Sequence, residues 1–95
     1  MNSLFSLNEN VALITGAGQG IGEAMAKGIA AAGAKVAVAD ININNANRVA
    51  NDIEKSGATA IPLCVNVTDA DSVEKMVANV VKQFGTIDIL INNAG

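Results

Sequence analysis

Four short apolar runs punctuate the chain, at Val11-Ala12-Leu13-Ile14, Val36-Ala37-Val38-Ala39, about Thr59 to Val65, and Ile87-Asp88-Ile89-Leu90-Ile91. They have strand length, and Val36 to Ala39 shows no polar alternation, as expected of a parallel strand buried on both faces. Between them the apolar period lengthens to that of a helix. Ile21, Met25, Gly28, Ile29 and Ala32 mark the inner face of a first helix that Gly33 ends. Asn42 or Asn44 caps a second, with Ala46, Val49, Ala50 and Ile53 facing inward before the break at Ser56-Gly57. Thr68 reads as the N-cap of the third, with Asp71 three residues on and Asp69 and Asp71 favouring the positive helix end. Its stripe of Val73, Met76, Val77, Val80, Val81 and Phe84 reads as core, and Gly85 stops it.

The resulting string is βαβαβαβ, an α/β fold. Right-handed crossovers then predict a doubly wound parallel sheet of order 3-2-1-4, with two helices on one face and the third on the other. The direction of winding reverses between the first and fourth strands. Ligands of such sheets sit outside the carboxyl ends of the strands at that point.

What emerges there is Thr15-Gly16-Ala17-Gly18-Gln19-Gly20-Ile21-Gly22. A glycine-rich turn from a buried strand into a helix presents free backbone N–H groups and the positive end of the helix dipole, which suits a diphosphate. The spacing is not G-x-G-x-x-G but T-G-x-x-x-G-x-G. That pattern resembles the short-chain dehydrogenase/reductase family, whose members bind NAD or NADP on a Rossmann-type sheet. Asp40 ends the second strand 18 residues after Gly22, where a carboxylate can accept from the adenosine ribose hydroxyls. It would also repel the 2′-phosphate of NADP, by roughly 4 kcal/mol at ~4 Å and an effective dielectric near 20, so NAD is the expected cofactor. Gln19 and Ile41 are uncharged at places where NADP-preferring members often carry Arg or Lys.

The resemblance extends along Val11 to Gly95. Asn66-Val67 is similar to the family's Asp-Val pair for adenine, with asparagine in place of aspartate and an amide oxygen that can accept from the exocyclic amine. Asn92-Asn93-Ala94-Gly95 is the family's N-N-A-G motif, which implies that its asparagine helps lock the central sheet and that the backbone of Asn93, Ala94 and Gly95 runs past the cofactor ribose. Leu4-Phe5-Ser6-Leu7 is similar to the start of gluconate 5-dehydrogenase-like and related sugar-acid dehydrogenases. The family's Tyr-x-x-x-Lys pair and serine lie beyond N-N-A-G, and this sequence contains no tyrosine. It therefore reads as the N-terminal, cofactor-binding part of an alcohol or sugar-acid oxidoreductase, with no catalytic residue assigned. The alternative is a noncatalytic nucleotide-binding half-domain.

Composition narrows the rest. A chain of 95 residues with 51% hydrophobic content suffices for one domain. The net charge of −3 leaves no basic stripe for nucleic acid or anionic lipid. There is no histidine and one cysteine, which excludes histidine-based triads and the usual zinc sites. Cys64 reads as a small core residue, and cysteine usage with no signal-like or apolar segment in Met1 to Asn10 implies a cytoplasmic protein without a membrane anchor. Asn66-Val67-Thr68 is an accidental glycosylation match, and Thr15 and Ser72 read as turn and helix-start residues rather than nucleophiles. With one helix on its side of the sheet, the fourth strand is expected to be an exposed edge prone to self-association.

Overall fold

Five consecutive buried residues make Val11–Thr15 (β1) the centre of the sheet. It is followed by α1 (Gly20–Ala31), β2 (Lys35–Asp40), α2 (Ile43–Lys55), β3 (Ala60–Cys64), α3 (Ala70–Phe84) and β4 (Ile89–Asn92). The structure, a computed structural model, describes residues 7–93. All strand pairings are parallel and the order is β3-β2-β1-β4, as the crossover argument predicts. Leu13 stands opposite Ala37 on one side and Leu90 on the other.

Side chains of a strand alternate between faces, so each buried run feeds two cores. Ile14, Val36 and Val38 pack beneath α1 and α2 against Ala46, Val49 and Ile53. Val11, Leu13, Ala37 and Ala39 face α3, where Leu63, Val65, Met76 and Val80 close the second core. Pro62 falls within β3, an outer strand, where the missing N–H leaves the fewest ladder bonds unmade.

Several local expectations shift. The inner face of α1 is Gly22, Ala26 and Ala30, one position along from the expected stripe; Met25 and Ile29 are half-buried, and Ile21 is 73% exposed. The cause is steric. A Cβ on Gly22 would overlap the Gly16 carbonyl, so the helix lies against the turn along its smallest side chains. In α3 only Met76 and Val80 are buried, while Val77 and Val81 are exposed. The α3 cap is Asp69 rather than Thr68: its carboxylate accepts from the Asp71 and Ser72 N–H groups, whereas the Thr68 hydroxyl donates to Asn66 Oδ1.

Asn42, of the two candidates, caps α2 by accepting from Asn45 N–H. β4 begins at Ile89 because Asp88 is occupied at the head of β1, its N–H donating to the Val11 carbonyl and its carboxylate accepting from the Val11 N–H. β4 alternates half-buried and exposed positions, with Leu90 64% exposed. Cys64 is exposed, not core, because it falls at the carboxyl end of the outer strand β3.

Candidate functional site

The carboxyl ends of the four strands enclose a cleft of about 650 Å³. Gly16, Gln19, Gly20 and Ile21 form one wall, and Asp40 with Ile41 stands at the end of β2. Val65 to Thr68, after β3, and Asn93, after β4, complete it. The structure thus brings most of the expected positions together. Gly18 and Gly22 lie behind the wall, and Ala94, Gly95 and the Leu4-Phe5-Ser6 segment fall outside the described residues.

The glycines of the turn answer two demands, a left-handed backbone and close approach. Gly16 and Gly20 have φ of 65° and 60°, the left-handed region that a Cβ disfavours. A Cβ on Gly18 would lie 2.8 Å from Asp40 Oδ2 and 2.7 Å from Asn45 Cβ. Around Gly20 nothing stands within 4 Å of the Cβ position, so the turn is open on the side where α1 begins. Gln19 makes no side-chain cap on α1, in contrast to Asn42 on α2 and Asp69 on α3. The first N–H groups of α1 are therefore left without a side-chain cap at the positive end of the helix dipole, with Glu23, in the first turn, paired to Arg48 and Lys27.

Asp40 is buried, and both its oxygens are engaged by backbone: Oδ2 accepts from Gly18 N–H at 2.9 Å and Oδ1 from Asn42 N–H at 3.0 Å. Each carboxylate oxygen keeps a second acceptor site for a ligand hydroxyl. Across the cleft, the Thr15 hydroxyl donates to Asn92 Oδ1 at 2.9 Å and accepts from Asn93 N–H at 3.1 Å, while Asn93 Nδ2 donates to the Gly16 carbonyl at 3.3 Å. Those bonds join the turns after β1 and β4. Asn66 departs from expectation. Its amide oxygen already accepts from both the N–H and the hydroxyl of Thr68, so its outward-facing capacity is the amide NH₂, a donor. The Ser72 hydroxyl accepts from Asn66 N–H, which confirms it as a helix-start residue.

One charged group near the turn went unread in the sequence. Arg48 Nη2 donates to the Gly18 carbonyl at 2.9 Å, and the guanidinium forks onto Glu23 at 3.0 and 3.1 Å. Lys27 joins Glu23 at 2.6 Å and Asp52 at 3.2 Å. Hydrogen bonds from Arg48, then from Lys27, hold the Glu23 carboxyl down at about 2. The same carboxylate raises both Lys27 and Arg48 above their usual range. Glu23-Lys27 and Arg48-Asp52 are i, i+4 pairs visible in sequence, but the cross-helix link from Glu23 to Arg48 needs α1 and α2 laid side by side.

Residues 10–95 match the sequence model of the short chain dehydrogenase family. The chain belongs to that family. Among its relatives, a sorbitol dehydrogenase of Cereibacter sphaeroides is 43% identical over 88 residues, 93% of this chain and 33% of the relative. The 5-keto-D-gluconate 5-reductase of Escherichia coli K12 is 38% identical over 95 residues, 100% of this chain and 37% of the relative. A crystal structure of a hydroxysteroid dehydrogenase from Escherichia coli superposes with a TM-score of 0.94 at 38% identity, covering 98% of this chain and 40% of that one. The chain thus spans about a third of the length of the curated relatives it matches. Its sheet is the Rossmann type shared with these oxidoreductases. Among the described residues no helix is long and apolar enough to cross a membrane, and no cluster of potential metal ligands occurs.

Proposed function

We propose that this chain is the dinucleotide-holding part of a short-chain oxidoreductase and that it prefers NAD to NADP. The observation that carries the reading is the convergence, in one cleft, of the uncapped start of α1, the open side of Gly20 and the carboxylate of Asp40. Gly16, Gln19, Gly20 and Ile21 would face the diphosphate, with Gly18 and Gly22 allowing the turn its shape from behind. Asp40 would accept from the adenosine ribose, with Ile41 beside it. Asn66 and Val67 would meet adenine, the former as a donor through its NH₂, and Asn93 would line the path toward the nicotinamide ribose. The bound dinucleotide supplies the hydride carrier for interconverting an alcohol and a carbonyl. This chain's residues supply grip, orientation and charge.

NADP would bring its 2′-phosphate against Asp40. A third of the roughly 4 kcal/mol repulsion between like charges at ~4 Å already amounts to about tenfold in affinity. Calorimetric titration with NAD and NADP tests this: saturable NAD binding is expected, and none would overturn the reading. Asp40→Ala should weaken NAD more than NADP; equal losses would refute the assignment of Asp40 to selectivity. Relatives named for sorbitol and 5-keto-D-gluconate support a polyol or sugar-acid substrate for the whole protein. With no tyrosine, the 95-residue chain by itself is expected to bind without turnover, and alcohol-dependent NAD reduction by it would contradict that. The proposal includes a cytoplasmic location, testable by fractionation, and self-association through the outer edge of β4.

A further inference from the structure

Gly18 is the one residue of the turn whose two backbone polar groups are both held by charged side chains. Its N–H donates to Asp40 Oδ2 at 2.9 Å, and its carbonyl accepts from Arg48 Nη2 at 2.9 Å. The two side chains approach from different elements, the end of β2 and the second turn of α2. We propose that Arg48 is a positioning residue for the dinucleotide cleft, gripping the Gly18 carbonyl so that the turn is set in its binding shape before a diphosphate arrives. The inference rests on the dinucleotide reading for its purpose, but not for its geometry.

The peptide unit from Gly18 to Gln19 is planar and trans, so the Gly18 carbonyl and the Gln19 N–H point in opposite directions. Drawing the carbonyl toward Arg48 therefore aims the Gln19 N–H away from Arg48. Gln19 lines the cleft, and Arg48 does not. A side chain outside the site thus sets the direction of a donor at its wall.

Glu23 makes that grip specific. Both of its oxygens accept from the guanidinium, Oε1 from Nη2 and Oε2 from Nη1, and the forked arrangement fixes the plane of Arg48 as a single contact would not. Lys27 holds the same Oε2 at 2.6 Å and reaches Asp52 at 3.2 Å, so the carboxylate is itself anchored between two helices. A lysine at position 48 could reach the Gly18 carbonyl or Glu23 but would lack the fork. The Arg48 side chain is half exposed, so its removal should cost little global stability while releasing the turn.

The test compares Arg48→Ala, Arg48→Lys and Glu23→Gln with the parent 95-residue chain, by amide hydrogen exchange without nucleotide and by NMR titration with ADP and with adenosine. Arg48→Ala should speed exchange of the turn amides with α2 unchanged, and should weaken ADP about tenfold while leaving adenosine unaffected, the scale expected for one charge-assisted hydrogen bond. Arg48→Lys should recover part of both effects, and Glu23→Gln should lose part of both. Unaltered turn exchange in Arg48→Ala, or equal weakening of ADP and adenosine, would overturn the inference. Should the parent bind no ADP, the dinucleotide reading fails, and the exchange data still decide whether the grip exists.

Discussion

Replacing Gly22 by alanine should be strongly destabilising, because the backbone of Gly16 leaves no room for a methyl group. The added Cβ would overlap the Gly16 carbonyl and lie 2.8 Å from Gly16 C and from Asn93 Nδ2. Two of these contacts are main chain, so no rotamer change relieves them. Overpacking of this kind costs typically 1 to 3 kcal/mol, and here the upper end applies. Displacing Asn93 from its bond to Gly16 adds about 0.5 to 1.5 kcal/mol. Against this, alanine gains about 1 kcal/mol over glycine in a helix. The net loss is about 2.5 to 3.5 kcal/mol, and at about 4 to 8 °C per kcal/mol for a domain of this size the melting temperature should fall by about 10 to 28 °C. Gly28→Ala is the control. It lies in the same helix with nothing within 4 Å of its Cβ position, so only the propensity gain remains and the melting temperature should rise by about 4 °C. Thermal unfolding followed by circular dichroism reads both. Equal melting of Gly22→Ala and the parent would refute the argument that close approach, rather than flexibility, requires glycine there.

Three further outcomes are expected. Asp69→Ala should destabilise the protein by about 1 kcal/mol in urea titration through loss of the α3 cap, and Thr68→Ala by less; the reverse ranking would restore Thr68 as the cap. The Glu23 carboxyl lies near 2 when folded against an ordinary value of 4.5, so its contribution is fully present above pH 4.5 and is lost as pH falls toward 2. The melting difference between the parent and Glu23→Gln should accordingly be constant from pH 8 to about pH 5 and shrink below that; a difference independent of pH would contradict the ion-pair geometry. Leu90→Lys should reduce self-association in sedimentation velocity, since Leu90 is the most exposed apolar side chain on β4, and an unchanged profile would exclude that edge.

Topology was legible because buried runs such as Val36 to Ala39 admit only a strand covered on both faces, and parallel strands connected through helices have one favoured hand. The glycine turn, Asp40 and the Asn93 turn were legible for the same reason, since strand order alone carries them to one end of the sheet. What escaped depended on distances between elements. Hydrophobicity pointed α1 along Ile21 and Met25, whereas the sheet selects the smallest stripe, Gly22, Ala26 and Ala30. Apolar neighbours made Cys64 look interior, because a run of apolar residues does not say where its strand outlasts its cover. Asn66 looked like an acceptor until the local turn with Thr68 claimed its oxygen. Arg48 looked like one more charge on the surface of α2 until α1 lay beside it.

The Thr15 hydroxyl ties residues 77 and 78 positions apart, and that separation bears on the order of events when the chain folds. β1, β2 and β3 with α1 and α2 can pair successively through short crossovers, whereas β4 must close a loop across 77 positions before Asn92 and Asn93 reach Thr15 and Gly16. On a ribosome, that closure waits until Asn92 and Asn93 have cleared the exit tunnel. The cleft is therefore the last part of this sheet to be completed, and any ligand that needs both of its walls acts as a reporter of finished folding, bound by the docked state and ignored by the earlier ones.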